Sequence, residues 1–396
     1  MVAEEVSDLK DQLRFQIPAF TAIRTVLNTA HRMVYPFLSI FARGLGVDLT
    51  TMSLALTARS LVGTFGPFTA SVADSHGRKF GMLFGVGLFT LGTALVVFWP
   101  TFWVLAVALS LATLGKYIFD PAMQAYLSDR ISYQRRGLAI ALTEFGWSLA
   151  FVLGVPLMGF LIARAGWMAP FPLLALLGAL TFVGIVLMLP AEGKPHADRA
   201  PLFANFRSVL TYVPALAGLA VGLFASTANE VVNLIFGVWL EDSFGLKIAA
   251  LGAASAVIGL SELGGEGLVA AFVDRLGKPR AIAIGLLTNS LAALSLPFLG
   301  RTEDGALTGL FFFYISFEFT LVSIIPLMTE ILPGARATLM SFNVAALSLG
   351  RALGAPLAPL LYGFGFLAVA AGAVVFNAIA LLALRKLLKS QMAMVS

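Results

Sequence analysis

Asp74-Ser-His-Gly-Arg-Lys79 and Asp274-Arg-Leu-Gly-Lys-Pro-Arg280 are two versions of one charged turn, set 200 positions apart. The same offset recurs in other surroundings: Arg136 answers to Arg336, and Leu153-Gly-Val-Pro-Leu157 answers to Leu353-Gly-Ala-Pro-Leu357. One offset shared by polar turns and apolar segments marks an internal duplication. In a very apolar chain, repeated halves are a signature of secondary transporters, whose substrate site lies where the repeats meet.

Hydrophobic residues make up 59% of the 396 residues and charged residues only 12%, with a mean hydropathy of +0.91. That balance belongs to a chain whose main solvent is lipid. The apolar runs are continuous and lack period-two alternation, which selects an all-α membrane protein over a barrel. They fall at 14–42, 51–73, 81–98, 102–127, 137–163 and 170–190, then at 209–239, 248–272, 281–299, 306–332, 338–363 and 367–385. Each is close to the roughly 20 residues a transmembrane helix needs. The twelve spans form two sets of six, residues 1–190 and 209–396, joined by the polar linker 191–208.

The basic residues set the orientation. Arg78, Lys79, Arg130, Arg135, Arg136, Lys194, Arg199, Arg275, Lys278, Arg336, Arg385 and Lys386 share one side with both termini, whereas the opposite loops hold only Arg43, Arg164, Lys247 and Arg301. The positive-inside rule places the termini and the linker in the cytoplasm. The formal charge of +5 is then a topology signal, and nucleic acid is not an expected partner. The acidic start, Met1-Val-Ala-Glu-Glu, lacks the features of a cleaved signal peptide, so the first span is expected to be retained. Zero cysteines exclude disulfides and thiolate chemistry. No phosphate-binding loop is present, which excludes an ATP-driven pump. His31, His76 and His196 are scattered and no hydrolase motif occurs, so neither a metal site nor an intramembrane enzyme is expected. No cofactor is implied.

Charges inside the spans are unevenly spread, although each costs about 2.5–3.5 kcal/mol at mid-bilayer. The interiors of spans 3, 6, 9 and 12 carry none, so these four helices belong on the lipid side and the other eight surround something polar. In span 1, Arg24, Asn28, His31 and Arg32 share one face. Span 2 adds Arg59, span 4 adds Lys116, Asp120 and Gln124, and span 5 adds Glu144. The second half answers with Asn229, Glu230, Asn233, Glu262, Glu266 and Glu318, its one cation within a span being Arg351. A largely basic wall thus faces a largely acidic one, either as salt bridges or as a working site.

Asp74-Ser-His-Gly-Arg-Lys79 resembles the signature loop between spans 2 and 3 of the major facilitator superfamily, and Gly154-Val-Pro-Leu-Met-Gly159 resembles the glycine-proline motif of its twelve-helix proton-coupled efflux branch. The chain departs from these patterns at Ala70, at Val155 and at Lys116, where the superfamily often has a glycine, an adjacent Gly-Pro pair and an arginine. The resemblance covers essentially the whole chain. It implies two pseudo-symmetric six-helix bundles, a central cavity lined by spans 1, 4, 7 and 10, and alternating access by rocking of the bundles. A monomeric antiporter of a bacterial inner membrane is expected, exporting a small amphipathic, anionic or zwitterionic solute against protons. A proton-coupled importer of an organic anion and a lipid flippase remain open.

Within that frame Arg24, Asn28, Arg32, Arg59, Lys116, Asn233 and Glu318 are the expected substrate contacts. Guanidinium forks match carboxylate and phosphate. Asp120, Glu230 and Glu144 are the expected proton carriers, since a carboxylate moved between wet and dry surroundings loads and releases a proton. Asp74, Gly77, Arg78, Lys79, Gly154, Pro156, Asp274 and Arg351 are the expected gating residues, with a plain charged turn and simple helix packing as the competing explanations. The orientation is checked by fusing reporters after Ser396: a fluorescent protein is expected to be bright there and alkaline phosphatase inactive. An active phosphatase would reverse the assignment.

Overall fold

The computed structural model describes residues 2–66, 68, 77–131, 133–190 and 206–395, and among these residues it builds only helices and short turns. Ten stretches are by themselves long and apolar enough to cross a bilayer, and they correspond to spans 3–12: Arg78–Phe98, Phe102–Arg130, Ala139–Ala165, Pro170–Met188, Val213–Phe244, Ile248–Leu276, Lys278–Leu299, Glu303–Ile331, Thr338–Tyr362 and Phe366–Met392. Spans 1 and 2 complete the twelve. Span 1 is divided into Val2–Arg32 and Leu38–Leu45, and span 2 is described over the 15 residues Leu49–Gly63. A short helix, Phe206–Thr211, precedes span 7.

The duplication is legible in the backbone. All six residues with positive φ among those described are glycines, and they form three pairs: Gly46 and Gly245 (68° and 61°), Gly77 and Gly277 (98° and 81°), Gly166 and Gly365 (82° and 96°). Each pair ends or begins the corresponding helix in the two halves, at turns where a side chain would strain the backbone. Helix starts repeat as well. Thr101 accepts a hydrogen bond from the Val104 N–H at the head of span 4, and Thr302 accepts one from Gly305 at the head of span 10. Asp48 heads span 2, where hydrogen bonds from Thr51 hold its carboxyl below the usual carboxylate range.

Spans 1 and 7 are both interrupted, at 33–37 and at 234–235. The sequence reading treated each as one continuous helix. In span 1 the Tyr35 N–H turns back to the Arg32 carbonyl at 3.3 Å instead of the His31 carbonyl one residue earlier. The His31 carbonyl is left for another donor. Span 5 is interrupted too, by a π-turn at Ala150–Gly154 just ahead of Pro156. Pro156 has no N–H to give the preceding turn, so the ladder widens there.

The small-residue stripe of span 5 lies against span 1: a Cβ on Gly146 would sit 2.8 Å from the Thr21 carbonyl oxygen, and one on Gly154 would collide with Thr29 Oγ1. Span 11 repeats this against span 7, where Gly350 meets the Leu223 carbonyl and Gly354 meets Glu230. The halves touch through span 5 on span 8, at Gly159 and Gly252, and through span 2 on span 11, at Gly63 and Ser348. Spans 3, 6, 9 and 12 turn large apolar side chains outward, among them Phe84, Leu91, Leu180, Leu187, Leu291 and Leu382, as their lack of charge implies.

The apolar core differs between the two ends of the bundle. Phe37 and Phe41 of span 1, Phe236 and Leu240 of span 7 and Leu251 of span 8 join one core across both halves at the end away from the termini. Towards the termini the second half keeps its own core around Val221, Ile324, Met328 and Leu387. The far end is also bolted by polar contacts, with Ser39 and Arg43 both donating to the Glu241 carboxylate, the latter at 2.7 Å. This conformation is therefore closed at the end opposite the termini. Gly154→Ala is expected to destabilise the purified protein by about 1–3 kcal/mol through overpacking, and Thr29→Ala added to it should restore most of the loss. A thermal unfolding series in detergent measures both, and an unaffected Gly154→Ala would show that the close approach is not a constraint.

Candidate functional site

Two charged clusters occupy the space between the helices. The one nearer the termini is built by spans 1, 4 and 5. Lys116 Nζ donates to Asp120 Oδ2 at 2.6 Å, one turn apart on span 4. Arg24 Nε donates to the other oxygen, Oδ1, at 3.1 Å, and Arg24 NH2 donates to Glu144 Oε2 at 2.9 Å. Gln124 Nε2 completes the set on Glu144 Oε1 at 3.1 Å. Glu144 keeps 40% of its side-chain surface exposed while Arg24 keeps 5%. A charge of this kind does not face lipid, so the exposed side of Glu144 belongs to a polar opening between the helices.

The second cluster lies deeper and crosses between the halves. Arg32 NH1 donates to Glu262 Oε2 of span 8 at 2.7 Å and to the Trp147 carbonyl at 3.1 Å, and NH2 takes the other Glu262 oxygen. Its guanidinium lies 3.6 Å from the Phe151 ring centre and 4.1 Å from that of Trp147. Both partners of this bidentate pair are nearly fully buried. Arg59, wholly buried in span 2, donates from NH1 to the His31 carbonyl and from NH2 to the Tyr35 hydroxyl, each at 2.7 Å. It thereby occupies the acceptor that the break in span 1 releases. The Tyr35 hydroxyl in turn donates to Glu230 of span 7 at 3.1 Å, so a phenol links the arginine of one half to the carboxylate of the other.

Beneath this cluster is a cavity of about 30 Å³ at the interface of the halves, lined by residues from spans 1, 5, 7, 8, 10 and 11. That volume admits water and not an organic solute. Its polar lining is mostly committed: Tyr314 donates to Asn233 Oδ1 at 2.8 Å, Thr113 meets His31 Nδ1 at 3.4 Å, and Arg32 holds Glu262. Glu318 and Arg351 line the same cavity without a hydrogen bond or ion pair to any described residue. The buried Asn229 Oδ1 has no partner either.

The expected opposition of a basic wall and an acidic wall is only partly what forms. Arg24 and Lys116 are neutralised inside their own half by Asp120 and Glu144, Arg59 bonds to His31 and Tyr35 of its own half, and of these four cations Arg32 alone pairs with a carboxylate of the second half. Asn28 is buried with neither amide atom bonded. Of the expected gating residues, Arg78 faces Asp129 at 3.5 Å, and Lys79 donates to the Val186 and Leu189 carbonyls at the end of span 6. The second copy of the turn pairs Lys278 with Glu330, while Asp274 is exposed. Gly77 begins span 3, and Gly154 and Pro156 form the close contacts of span 5. Asp74 lies outside the described residues. Tyr35, Trp147, Phe151 and Tyr314 were not named from sequence. Tyr35 continues the polar face of span 1, three residues past Arg32, and Trp147 and Phe151 follow Glu144 at helical spacing, so the signal was present.

A duplicated helical bundle, closed at one end around a charged cavity between its halves, is the architecture of an alternating-access membrane transporter. The sequence model of the Major Facilitator Superfamily matches residues 22–331 and 223–392, and the chain belongs to that family. It is an integral multi-pass membrane protein and a transporter rather than an enzyme. It is similar to the uncharacterized MFS-type transporter YceJ of Bacillus subtilis (strain 168), 25% identical over 352 residues covering 87% of this chain and 88% of that protein. It is also similar to the inner membrane transport protein YdhP of Escherichia coli (strain K12), 24% identical over 325 residues, 80% of this chain and 81% of that protein. Among solved structures, a bacterial homologue of the human lysosomal transporter Spinster, inward-facing and unoccupied, superposes with a TM-score of 0.78 at 17% identity, covering 96% of this chain and 98% of that one. That likeness bears on the fold alone.

Glu262→Gln would leave Arg32 buried without a counter-charge, at a cost of about 3–5 kcal/mol. Pairing it with Arg32→Gln is expected to recover much of that loss. A double-mutant cycle by thermal unfolding measures the coupling, and additive losses would show that the two side chains act independently.

Proposed function

We propose that the protein exports a small organic solute, amphipathic or carrying an anionic or zwitterionic group, in exchange for protons, with both termini in the cytoplasm of a bacterial cell. The observation that carries this reading is a set of carboxylates between the helices held by cations that another conformation could release, Asp120 and Glu144 by Arg24 and Lys116 within the first half and Glu262 by Arg32 across the seam. The closed far end and the exposed Glu144 at the near end fit a state open towards the termini. Rocking the halves to the opposite state must separate Ser39 and Arg43 from Glu241 and rearrange the contacts of span 5 on span 8.

In this reading Asp120 and Glu230 are the proton carriers, with Glu144 beside them. Asp120 is held by two cations, Arg24 and Lys116, so a proton arriving there frees Lys116 and leaves Arg24 to Glu144 alone. Glu230 holds the second half to Tyr35, so a proton on it weakens a contact between the halves. Arg24, Arg32 and Arg59 have their forks on protein acceptors in this conformation, which directs the anion-receiving role to Arg351. Asn233 and Glu318 stay in the substrate site as cavity-lining groups, and Lys116 becomes the partner of Asp120.

Proteoliposomes loaded with a pH-sensitive dye and challenged with organic zwitterions, anions and cations test the exchange. A solute taken across is expected to move protons the other way in the wild-type protein, and Asp120→Asn is expected to abolish that movement with unchanged insertion and folding. Undiminished coupling in Asp120→Asn would remove Asp120 from the mechanism, and solute movement that ignores an imposed pH gradient would remove protons from it.

A further inference from the structure

Three polar groups on the cavity have no hydrogen bond or ion pair with any described residue. Arg351 comes from span 11, Glu318 from span 10 and Asn229 Oδ1 from span 7, and all three line the one small space between the halves. Among the described residues lining that space, Arg351 is the one cation and Glu318 the one carboxylate without a hydrogen bond or ion pair. Buried polar groups are almost always satisfied, and an arginine cannot escape its charge by losing a proton. Arg351 and Glu318 lie within electrostatic reach of each other and still form no ion pair. Two opposite charges held apart in a weakly polar space leave a gap that a third body can bridge.

We infer that the cavity takes a zwitterion, its anionic group on Arg351, its cationic group on Glu318, and a hydrogen-bond donor on Asn229 Oδ1. This rests on the transporter reading above and specifies its substrate. The alternatives leave charges uncompensated. An anion would satisfy Arg351 and leave Glu318 among the carboxylates of Glu262 and Glu266 on span 8, of which Glu262 is paired with Arg32 of span 1 and Glu266 with no described residue. A cation would satisfy Glu318 and leave Arg351 without a bonded acceptor among the described residues, since its other acidic neighbour, Glu230, is held by Tyr35; a neutral solute would serve neither. Phe317 and Trp147, which also line the space, offer apolar and aromatic surface to the body of the molecule. At about 30 Å³ the cavity is too small for an organic solute in this conformation, so the halves part to admit it. The groups that face Glu318 from the packed helices are Glu262, Glu266, Arg32 and Arg351. The cationic end of the solute and a proton then compete for the Glu318 carboxylate, which is the competition that exchange of solute for proton requires.

The test uses the purified full-length protein and probes of one shape and three charges: phenylalanine as the zwitterion, N-acetylphenylalanine as the anion and phenylalaninamide as the cation. Phenylalanine is expected to raise the melting temperature at concentrations about tenfold or more below those the other two require. Glu318→Gln is expected to erase the advantage of the zwitterion over the anion and keep its advantage over the cation, and Arg351→Gln to do the reverse. Each variant thus carries its own control for folding. Equal stabilisation by all three probes, stabilisation by the anion or the cation alone, no stabilisation by any, or variants that keep the wild-type preference would overturn the assignment. If the probes sort by charge as expected while no pH gradient drives phenylalanine across a proteoliposome, the site stands and the exchange reading falls. If a gradient drives other solutes while the three probes leave melting unchanged, the zwitterion falls alone.

Discussion

An arginine stays charged in any medium a protein can build, and Arg24, Arg32 and Arg59 bring three such charges into a bundle whose outside is lipid. The arrangement of the helices follows from where their acceptors come from. Arg24 finds its acceptors on spans 4 and 5 and so ties the first half to itself. Arg32 finds Glu262 on span 8 and ties that half to the second. Such a buried pair adds little stability by itself, but neither partner can leave the other without a large penalty. It is therefore a switchable joint rather than a general adhesive.

Arg59 answers a different need. Within a bilayer each backbone group must be bonded inside the protein, and a helix that breaks in mid-membrane frees a carbonyl. The break in span 1 frees that of His31, and the guanidinium of Arg59 takes it while also holding the Tyr35 hydroxyl that leads to Glu230. One side chain thus makes the interruption tolerable and connects it to the opposite half. The corresponding break in span 7 shows that the interruption belongs to the duplicated plan. The arginine does not: the position 200 residues after Arg59 is Gly259, which packs closely on Ser148 and Val152 of span 5.

The duplication supplies the mechanics, namely glycine turns, helix starts and close crossings of span 5 on span 1 and span 11 on span 7. The charges depart from it. Phe151, whose ring lies under Arg32, stands where the duplication would place the partner of Arg351, so the first half spends on stacking the position that the second half spends on a cation. A symmetric frame with an asymmetric lining is what a rocking transporter needs, since the frame must alternate while the site keeps one chemistry.

The sequence by itself determined the helices, their number and their repeat, because apolar length and turn chemistry are local properties that survive any packing. It also placed Lys116 and Asp120 on one face and marked the charge-free spans that turn to lipid. It did not decide the breaks at 33–37 and 234–235: the first holds Pro36, but Pro18 and Pro121 sit inside unbroken helices, and the second is filled by Leu234 and Ile235, apolar like the helix around them. Nor could it say which charges are spent and which are free. Arg24 and Arg351 look alike as isolated arginines in apolar runs; one is surrounded by Asp120 and Glu144 and the other lines the cavity between the halves without an ion pair to any described residue. That difference is a matter of a few ångströms between helices far apart in the chain, and only the tertiary structure decides it.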